Sequence, residues 1–337
     1  MDKYKPLIDN FGRQIKYLRI SVTDRCNLRC VYCMPENGVT PLSHDEVISY
    51  EDILRLVNIL SKHGVNKIRV TGGEPLVRKG MTGLIKNISG IKGIKDISMT
   101  TNGVLLEKYA LELYNIGLRR INISLDSLNE EKFFRITRTG SLKDVLSGIK
   151  LVKKKGFNPI KINTVLIRGI NDDEIIDFVN FAKEFGLNLR FIEYMPIGGN
   201  IAEAVSSKET IEKIKSKFTD FGPVSAGKTT AYDGVSRSFG FKDGKAVIGF
   251  ISPLSEHFCG DCNRLRLTAS GNLRPCLFYD NEYNIKNILK ENNDDDEVFE
   301  KISDIIKLKL FKHNFDMKTN NRECLSWAND FMNGIGG

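Results

Sequence analysis

A chain of 337 residues with 41% hydrophobic and 27% charged residues suits one large globular domain or two smaller ones, without a membrane span. No apolar run approaches the length of a membrane helix, and the basic, polar N-terminus lacks the core of a signal peptide. The formal net charge of +8 admits nucleic acid, a phosphorylated small molecule or only a lysine-rich surface, so charge alone names no partner. Seven cysteines are too sparse for a secreted disulfide scaffold. Six fall into two groups of three, and Cys324, left over, reads as a buried thiol. The expected compartment is a reducing cytoplasm.

In chain order, residues 15–22 (IKYLRISV) read as a strand carrying Arg19. It feeds Cys26, Cys30 and Cys33, spaced C-x3-C-x2-C. Three thiolates in one short loop can each take one iron of a 4Fe-4S cube, leaving the remaining iron open to a ligand. A zinc site and three unrelated buried thiols are the competing readings; zinc prefers four ligands and C-x2-C pairs. Residues 51–63 have helical apolar spacing and stop at Gly64, and 66–71 (NKIRVT) form a second strand. Gly72-Gly73-Glu74-Pro75 follows. Two glycines there let backbone approach a ligand closely, with N–H groups free to meet a carboxylate.

The alternation continues with strands at 94–99, 119–125, 159–167 and 187–195. Helices fall at 104–116, 130–137, 141–155 and 172–185. Six strands alternating with helices predict a parallel sheet with right-handed crossovers, either doubly wound or an incomplete barrel. Ligands of both gather at strand C-terminal ends, where Thr71, Thr100, Ser124 and Asp126 stand. After residue 200 the pattern changes. A helix near 207–218 precedes short runs (TTAYDG, VSRSFGF, KDGKAVIGFIS) that read as a small antiparallel addition, and 291–297 (ENNDDDE) reads as an acidic surface loop.

Cys259, Cys262 and Cys276 form a second triad, C-x2-C-x13-C. It suits another cluster with an open iron, or a zinc site with His257 as the one nearby fourth ligand. Arg264 and Arg266 alternate with Leu265 and Leu267, so a strand would put both guanidiniums on one face. Paired planar forks suit a polyphosphate; a solvated edge strand is the competing reading. Arg274 either adds to this charge or faces solvent.

The stretches LRISVTDRCNLRCVYCMP and IRVTGGEPL resemble the radical S-adenosylmethionine superfamily. With FIEYMPIG, CGDCNRLRLTASGNLRPCLF and the terminal Gly-Gly, the chain is similar to the GTP 3′,8-cyclase family of molybdenum cofactor biosynthesis. The resemblance implies an α/β fold: a partial (β/α)6 TIM-like barrel over 1–200, with a C-terminal α+β extension over 201–337 carrying the second iron–sulfur site. It implies two 4Fe-4S clusters, on Cys26, Cys30 and Cys33 and on Cys259, Cys262 and Cys276. It places S-adenosylmethionine against Tyr32, Gly73, Ser124 and Met195. GTP falls to Arg19, Arg69, Thr100, Lys161 and the Arg264–Leu265–Arg266 segment, and Gly336 and Gly337 reach the reaction centre. In that family a 5′-deoxyadenosyl radical takes hydrogen from C3′ of GTP, the C3′ radical attacks C8, and the product radical is reduced and protonated. A one-electron reductant and a downstream cyclic pyranopterin monophosphate synthase are the implied partners, with no membrane or nucleic acid and with room for a homodimer.

Overall fold

The structure, a computed structural model, describes residues 4–195, 204–224, 236–253, 255–256, 259–278, 281–312 and 332–335. The first half alternates as the sequence predicts: β1 (Tyr17–Ser21), α1 (Tyr50–Lys62), β2 (Lys67–Thr71), α2 (Met81–Ser89), β3 (Asp96–Thr101), α3 (Leu106–Asn115), β4 (Arg120–Ser124), α4 (Glu130–Thr137), α5 (Leu142–Lys155), β5 (Ile160–Leu166), α6 (Ile175–Phe185) and β6 (Asn188–Glu193). Each neighbouring pair from β1 to β6 is parallel. The helix α2 has no counterpart in the sequence reading. It is short, contains Gly83, and starts without a side-chain cap.

Period-2 alternation sorts the strands. On β1, Leu18 and Ile20 are fully buried in the apolar core, while Tyr17 and Arg19 point to the other side and line a cavity. On β2 Ile68 and Val70 are core, while Lys67, Arg69 and Thr71 line the same cavity. The apolar face packs under the helices: α1 lays Ile53, Leu56, Val57 and Leu60 against it. Ser49 caps that helix, its hydroxyl accepting from Asp52 N–H at 3.0 Å. The sheet is thus apolar outward and polar inward.

The second half departs from expectation. It contains α7 (Ser207–Lys217), β7 (Gly222–Pro223), β8 (Arg237–Gly240), β9 (Val247–Ile251), β10 (Arg264–Leu267), β11 (Asn272–Arg274), β12 (Tyr283–Asn284), α8 (Ile285–Glu291), α9 (Asp295–Lys307) and α10 (Met332–Ile335). The runs VSRSFGF and KDGKAVIGFIS do pair antiparallel, β8 against β9, as expected, but this addition is continuous with the barrel sheet. β9 joins β6 in parallel and β10 joins β1 in parallel, so both edges of the barrel sheet are extended. Only the outermost pairs, β7–β8, β8–β9, β10–β11 and β11–β12, are antiparallel. The strand order is β12-β11-β10-β1-β2-β3-β4-β5-β6-β9-β8-β7. Each parallel strand from β10 to β9 contributes to one cavity wall, so the sheet curls into an incomplete barrel. TTAYDG lies outside the described residues.

The acidic run is also shorter as a loop than expected. Asp294 caps α9 through a bond from Asp296 N–H at 2.9 Å, and Asp295, Asp296 and Glu297 occupy its first turn. Carboxylates there meet unpaired N–H groups and the positive end of the helix dipole. Asp295 pairs with Arg55 of α1 at 3.1 Å, whose guanidinium also reaches Leu289 O (2.7 Å) and Asn292 O (2.8 Å). This bolts the C-terminal helices to the barrel. No helix among the described residues is long and apolar enough to cross a membrane.

Candidate active site

The loop after β1 carries the first triad. Cys33 N–H and Met34 N–H both donate to Cys30 O (2.9 and 3.2 Å), a tight turn that draws the last two cysteines together. Leu28 N–H lies 3.4 Å and Asn102 Nδ2 3.7 Å from the Cys26 sulfur. Burial pushes the Cys26 thiol up. It pushes Cys30 well up, helped by the adjoining Cys33, Asp126 and Cys26. Three crowded sulfurs held this way call for a cationic partner.

The glycine turn after β2 is built against this loop. A Cβ on Gly73 would stand 2.4 Å from Arg25 O, and one on Gly72 2.7 Å from Thr23 O. Two of the turn's N–H groups are already committed: Gly73 N–H donates to Thr23 O (2.7 Å) and Glu74 N–H to Arg25 O (2.9 Å). The glycines therefore serve close backbone packing, and these two N–H groups are not the free donors the sequence reading expects. Glu74 is fully buried and accepts from Leu76 N–H (3.0 Å), Thr101 Oγ1 (2.9 Å) and Asn102 N–H (2.7 Å). Burial pushes its carboxyl up to about 7, against the pull of these donors.

Across the barrel mouth, the Tyr32 hydroxyl donates to Asp126 Oδ2 at 2.6 Å, and Val165 N–H donates to Asp126 Oδ1 at 2.8 Å. Asp126, raised to about 6 by burial, thereby ties the cysteine loop to the ends of β4 and β5. Gly73, Ser124 and Met195 line the same space, with Asn163 and Val165 of β5.

The cavity continues down the barrel to the second triad, and all six cysteines line it. Cys259 opens a 3-10 turn, with Cys262 N–H donating to Cys259 O at 3.2 Å. Burial would raise the Cys262 thiol, but Lys309, Arg264 and Arg13 more than offset it and hold it low. Cationic neighbours thus favour the Cys262 thiolate, whereas burial disfavours those of Cys26 and Cys30.

Along this cavity the register stacks cations. Arg266, Arg19 and Arg69 align across β10, β1 and β2; one row lower, Arg264, Tyr17 and Lys67 align. The Tyr17 ring lies 5.1 Å from Lys67 Nζ and 5.6 Å from the guanidinium carbons of Arg69 and Arg264. Its hydroxyl is buried without a hydrogen-bond partner, as are Thr100 Oγ1 and Asn163 Oδ1. Arg266 is pushed down to about 10 by burial and by Arg264. Burial and cationic neighbours, with Arg266 first among them, push Arg19 well down, although Tyr17 opposes this. Such crowding calls for a polyanion.

Arg19, Arg69, Thr100, Arg264 and Arg266 are therefore brought together. Lys161 shares a strand face with Asn163 and Val165 but is 1% exposed and is not among the cavity's lining residues. Leu265 packs in the apolar core, so its side chain faces away from the cavity. Arg274 does not face solvent but adds to the cationic charge from outside the cavity wall: it is fully buried, stands opposite Arg266 in the β10–β11 register, helps push that guanidinium down, and pairs with Glu282 at 3.2 Å. His257, Cys324, Gly336 and Gly337 lie outside the described residues. Just before the terminal pair, Ile335 is buried and Ala269 N–H donates to Gly334 O at 3.0 Å. Sequence reasoning missed Tyr17, Lys67, Arg190 and Lys309 as cavity residues. Strand alternation with Arg19, Arg69 and Ile192 could have found the first three; Lys309 follows a helix and carries no such signal.

Among the described residues no three Cys, His, Asp or Glu side chains converge to hold one metal ion, the arrangement a zinc site needs. All six thiols are free and line the cavity, and three thiolates per site is the donor set a 4Fe-4S cube with one open iron takes.

Two family models match: the Radical SAM superfamily over residues 20–182 and Molybdenum Cofactor Synthesis C over residues 187–315. A GTP 3′,8-cyclase of Thermodesulfovibrio yellowstonii is 50% identical over 305 residues, covering 89% of this chain and 94% of that protein. One of Clostridium botulinum is 48% identical over 307 residues, covering 91% and 94%. The crystal structure of Streptococcus suis SuiB matches with a TM-score of 0.58 at 16% identity, covering 85% of this chain and 66% of that one, which supports the fold alone. Sequence identity of this extent, joined to the two family models and the barrel fold, places the chain in the GTP 3′,8-cyclase family of the radical S-adenosylmethionine superfamily.

Proposed function

We propose that this chain converts GTP to (8S)-3′,8-cyclo-7,8-dihydroguanosine 5′-triphosphate, the first step of molybdenum cofactor biosynthesis. The observation that carries this reading is one cavity lined by both cysteine triads and by the cationic rows of β10, β1 and β2. Cys26, Cys30 and Cys33 hold one 4Fe-4S cluster with S-adenosylmethionine. Cys259, Cys262 and Cys276 hold a second, whose open iron suits the guanine base. When bound, the first cluster and S-adenosylmethionine would supply a 5′-deoxyadenosyl radical, the species able to take a hydrogen from the ribose of GTP.

The chain's own residues bind, orient and exclude water. Tyr32, locked by Asp126, offers its ring to the adenine of S-adenosylmethionine. Gly73, Ser124 and Met195 line the rest of that cofactor. Arg19, Arg69, Arg264 and Arg266 take the triphosphate, with Leu265 contributing backbone; Thr100 completes the nucleotide site, and the buried Lys161, off the cavity wall but on the same face of β5 as Asn163, adds its charge. The buried Tyr17 hydroxyl, lacking a partner, donates to the same anion. Ile251, Pro253, Leu277 and Phe278 add apolar wall, which keeps water from a reactive carbon. Gly336 and Gly337, which follow the buried Ile335 in sequence, take part in the reaction. Anchoring GTP at base and triphosphate fixes C3′ between them, which is the main task of a protein that supplies little acid–base chemistry.

Residues 1–200 form the barrel unit and 201–337 the extension that brings the second triad. The reaction draws on a one-electron reductant in the cytoplasm and hands its product to a cyclic pyranopterin monophosphate synthase. A homodimer is compatible with this scheme. Anaerobic reconstitution with iron and sulfide, then assay of 5′-deoxyadenosine with and without GTP, tests the reading. GTP-dependent formation with a cyclised product is expected; iron binding without cleavage of S-adenosylmethionine contradicts it.

A further inference from the structure

Ahead of the first matched family model, which begins at residue 20, the chain makes a small hairpin with an Ile8–Gln14 bridge. Asp9 organises it, its Oδ1 accepting from Phe11 N–H (2.9 Å) and Arg13 N–H (3.0 Å). Arg13 is 8% exposed and Asp9 5%, and Arg13 Nε donates to Asp9 Oδ2 at 2.6 Å. The rest of the guanidinium goes elsewhere. Nη1 donates to Cys259 O at 2.7 Å and to Phe311 O at 3.1 Å, and Nη2 to Leu310 O at 2.7 Å. One buried fork therefore joins the N-terminal hairpin, the first cysteine of the second triad and the chain that leaves α9.

The other side of the triad is held from the same segment. Lys309, 2% exposed, donates to Arg264 O at 3.2 Å and to Pro275 O, the carbonyl just before Cys276. Lys16 and Tyr17 N–H both donate to Asn263 O (3.1 and 3.2 Å), next to Cys262. Three backbone clamps thus touch the triad, and Arg13 joins two of the segments that carry them.

We propose that Arg13 is a positioning residue for the second triad: by tying Cys259 O to Leu310 O and Phe311 O, it fixes the placing of Cys259 against Cys262 and Cys276. Lys309 does the same for the Cys276 side. Only arginine can serve three carbonyls and a carboxylate at once, because its donors are fixed in a planar fork. The proposal rests on the reading that this triad holds an iron–sulfur cluster.

The test is anaerobic reconstitution of full-length wild-type, Arg13→Gln, Arg13→Lys and Lys309→Gln proteins, followed by iron analysis and the rate of iron loss to EDTA. The cluster that answers S-adenosylmethionine with a changed electron paramagnetic resonance signal is the first one. Wild type is expected to hold about eight irons, as two cubes require. Arg13→Gln should keep the responsive cluster and release the other about tenfold faster or more, the usual scale for losing a residue that orients a ligand. Arg13→Lys keeps the charge without the fork and should fall between. Parallel loss of both clusters, or release at the wild-type rate, overturns the proposal. Should Arg13→Gln fail to fold, Lys309→Gln decides by the same selective release or its absence. A wild type with about four irons overturns the cluster reading of the second triad instead, and this proposal with it.

Discussion

At the scale of single residues, the cavity's chemistry comes from polar side chains placed where a barrel interior is usually apolar. Arg264 and Arg266 were legible in the sequence because alternation with leucines marks a shared face. Tyr17 was legible only through its alternation with Arg19, since an aromatic on a strand reads by itself as packing. Arg266→Ala is expected to raise the GTP dissociation constant about tenfold or more, from losing a charge-assisted bond of roughly 1.5–3 kcal/mol. Both clusters should remain; unchanged affinity by calorimetry would put this side chain outside the nucleotide site. Tyr17→Phe keeps the ring among its cations and removes only the hydroxyl. A neutral hydrogen bond contributes about 0.5–1.5 kcal/mol, so binding should weaken roughly two- to tenfold with fold and iron content intact.

Glu74 carries a pH signature at the same scale. Its folded carboxyl is raised from 4.5 to about 7 by burial, so the folded chain retains a proton the unfolded chain has given up. Its contribution to stability is full below the ordinary carboxylate range and is lost as pH rises through 7. In the cluster-free protein, thermal stability should fall between pH 5 and 7 from this group, and Glu74→Gln should flatten that part of the curve. An identical slope in the variant would assign it to other groups.

At the scale of elements, local patterns sufficed for β1 to β6 and for most of the covering helices, because long periodic stretches with caps leave few alternatives. Partner strands were not legible. β9 and β10 pair with β6 and β1 across long sequence separations, and no local pattern reports which edge a strand will join. The acidic run showed the opposite error: charge suggested a loop, whereas Asp294 starts a helix. The glycine turn was found as a motif, but its physical demand lies in the cysteine loop behind it. Gly73→Ala forces a Cβ into Arg25 O, so it should displace that loop. The variant is expected to fold, to lose the S-adenosylmethionine-responsive cluster and to keep about four irons; full iron content with normal cleavage would show that the turn can give way.

At the scale of the whole molecule, each end of the chain is tied to the barrel by a contact that is distant in sequence. The N-terminal hairpin grips Cys259 O, and the last described residues dock beside Ala269. Neither contact has a sequence signal, because each joins residues far apart along the chain. Deleting Gly336 and Gly337 should spare folding and both clusters while cyclised product per 5′-deoxyadenosine falls sharply. A ratio and rate equal to the intact chain's would make the terminus an ordinary loose end.

The central claim is that the barrel aims a radical at one ribose hydrogen of GTP. Its most direct test supplies the reconstituted protein with GTP deuterated at C3′, then analyses the 5′-deoxyadenosine by mass spectrometry. The geometry predicts deuterium in the 5′-deoxyadenosine, together with a 3′,8-cyclised nucleotide. Unlabelled 5′-deoxyadenosine formed from that substrate would contradict it.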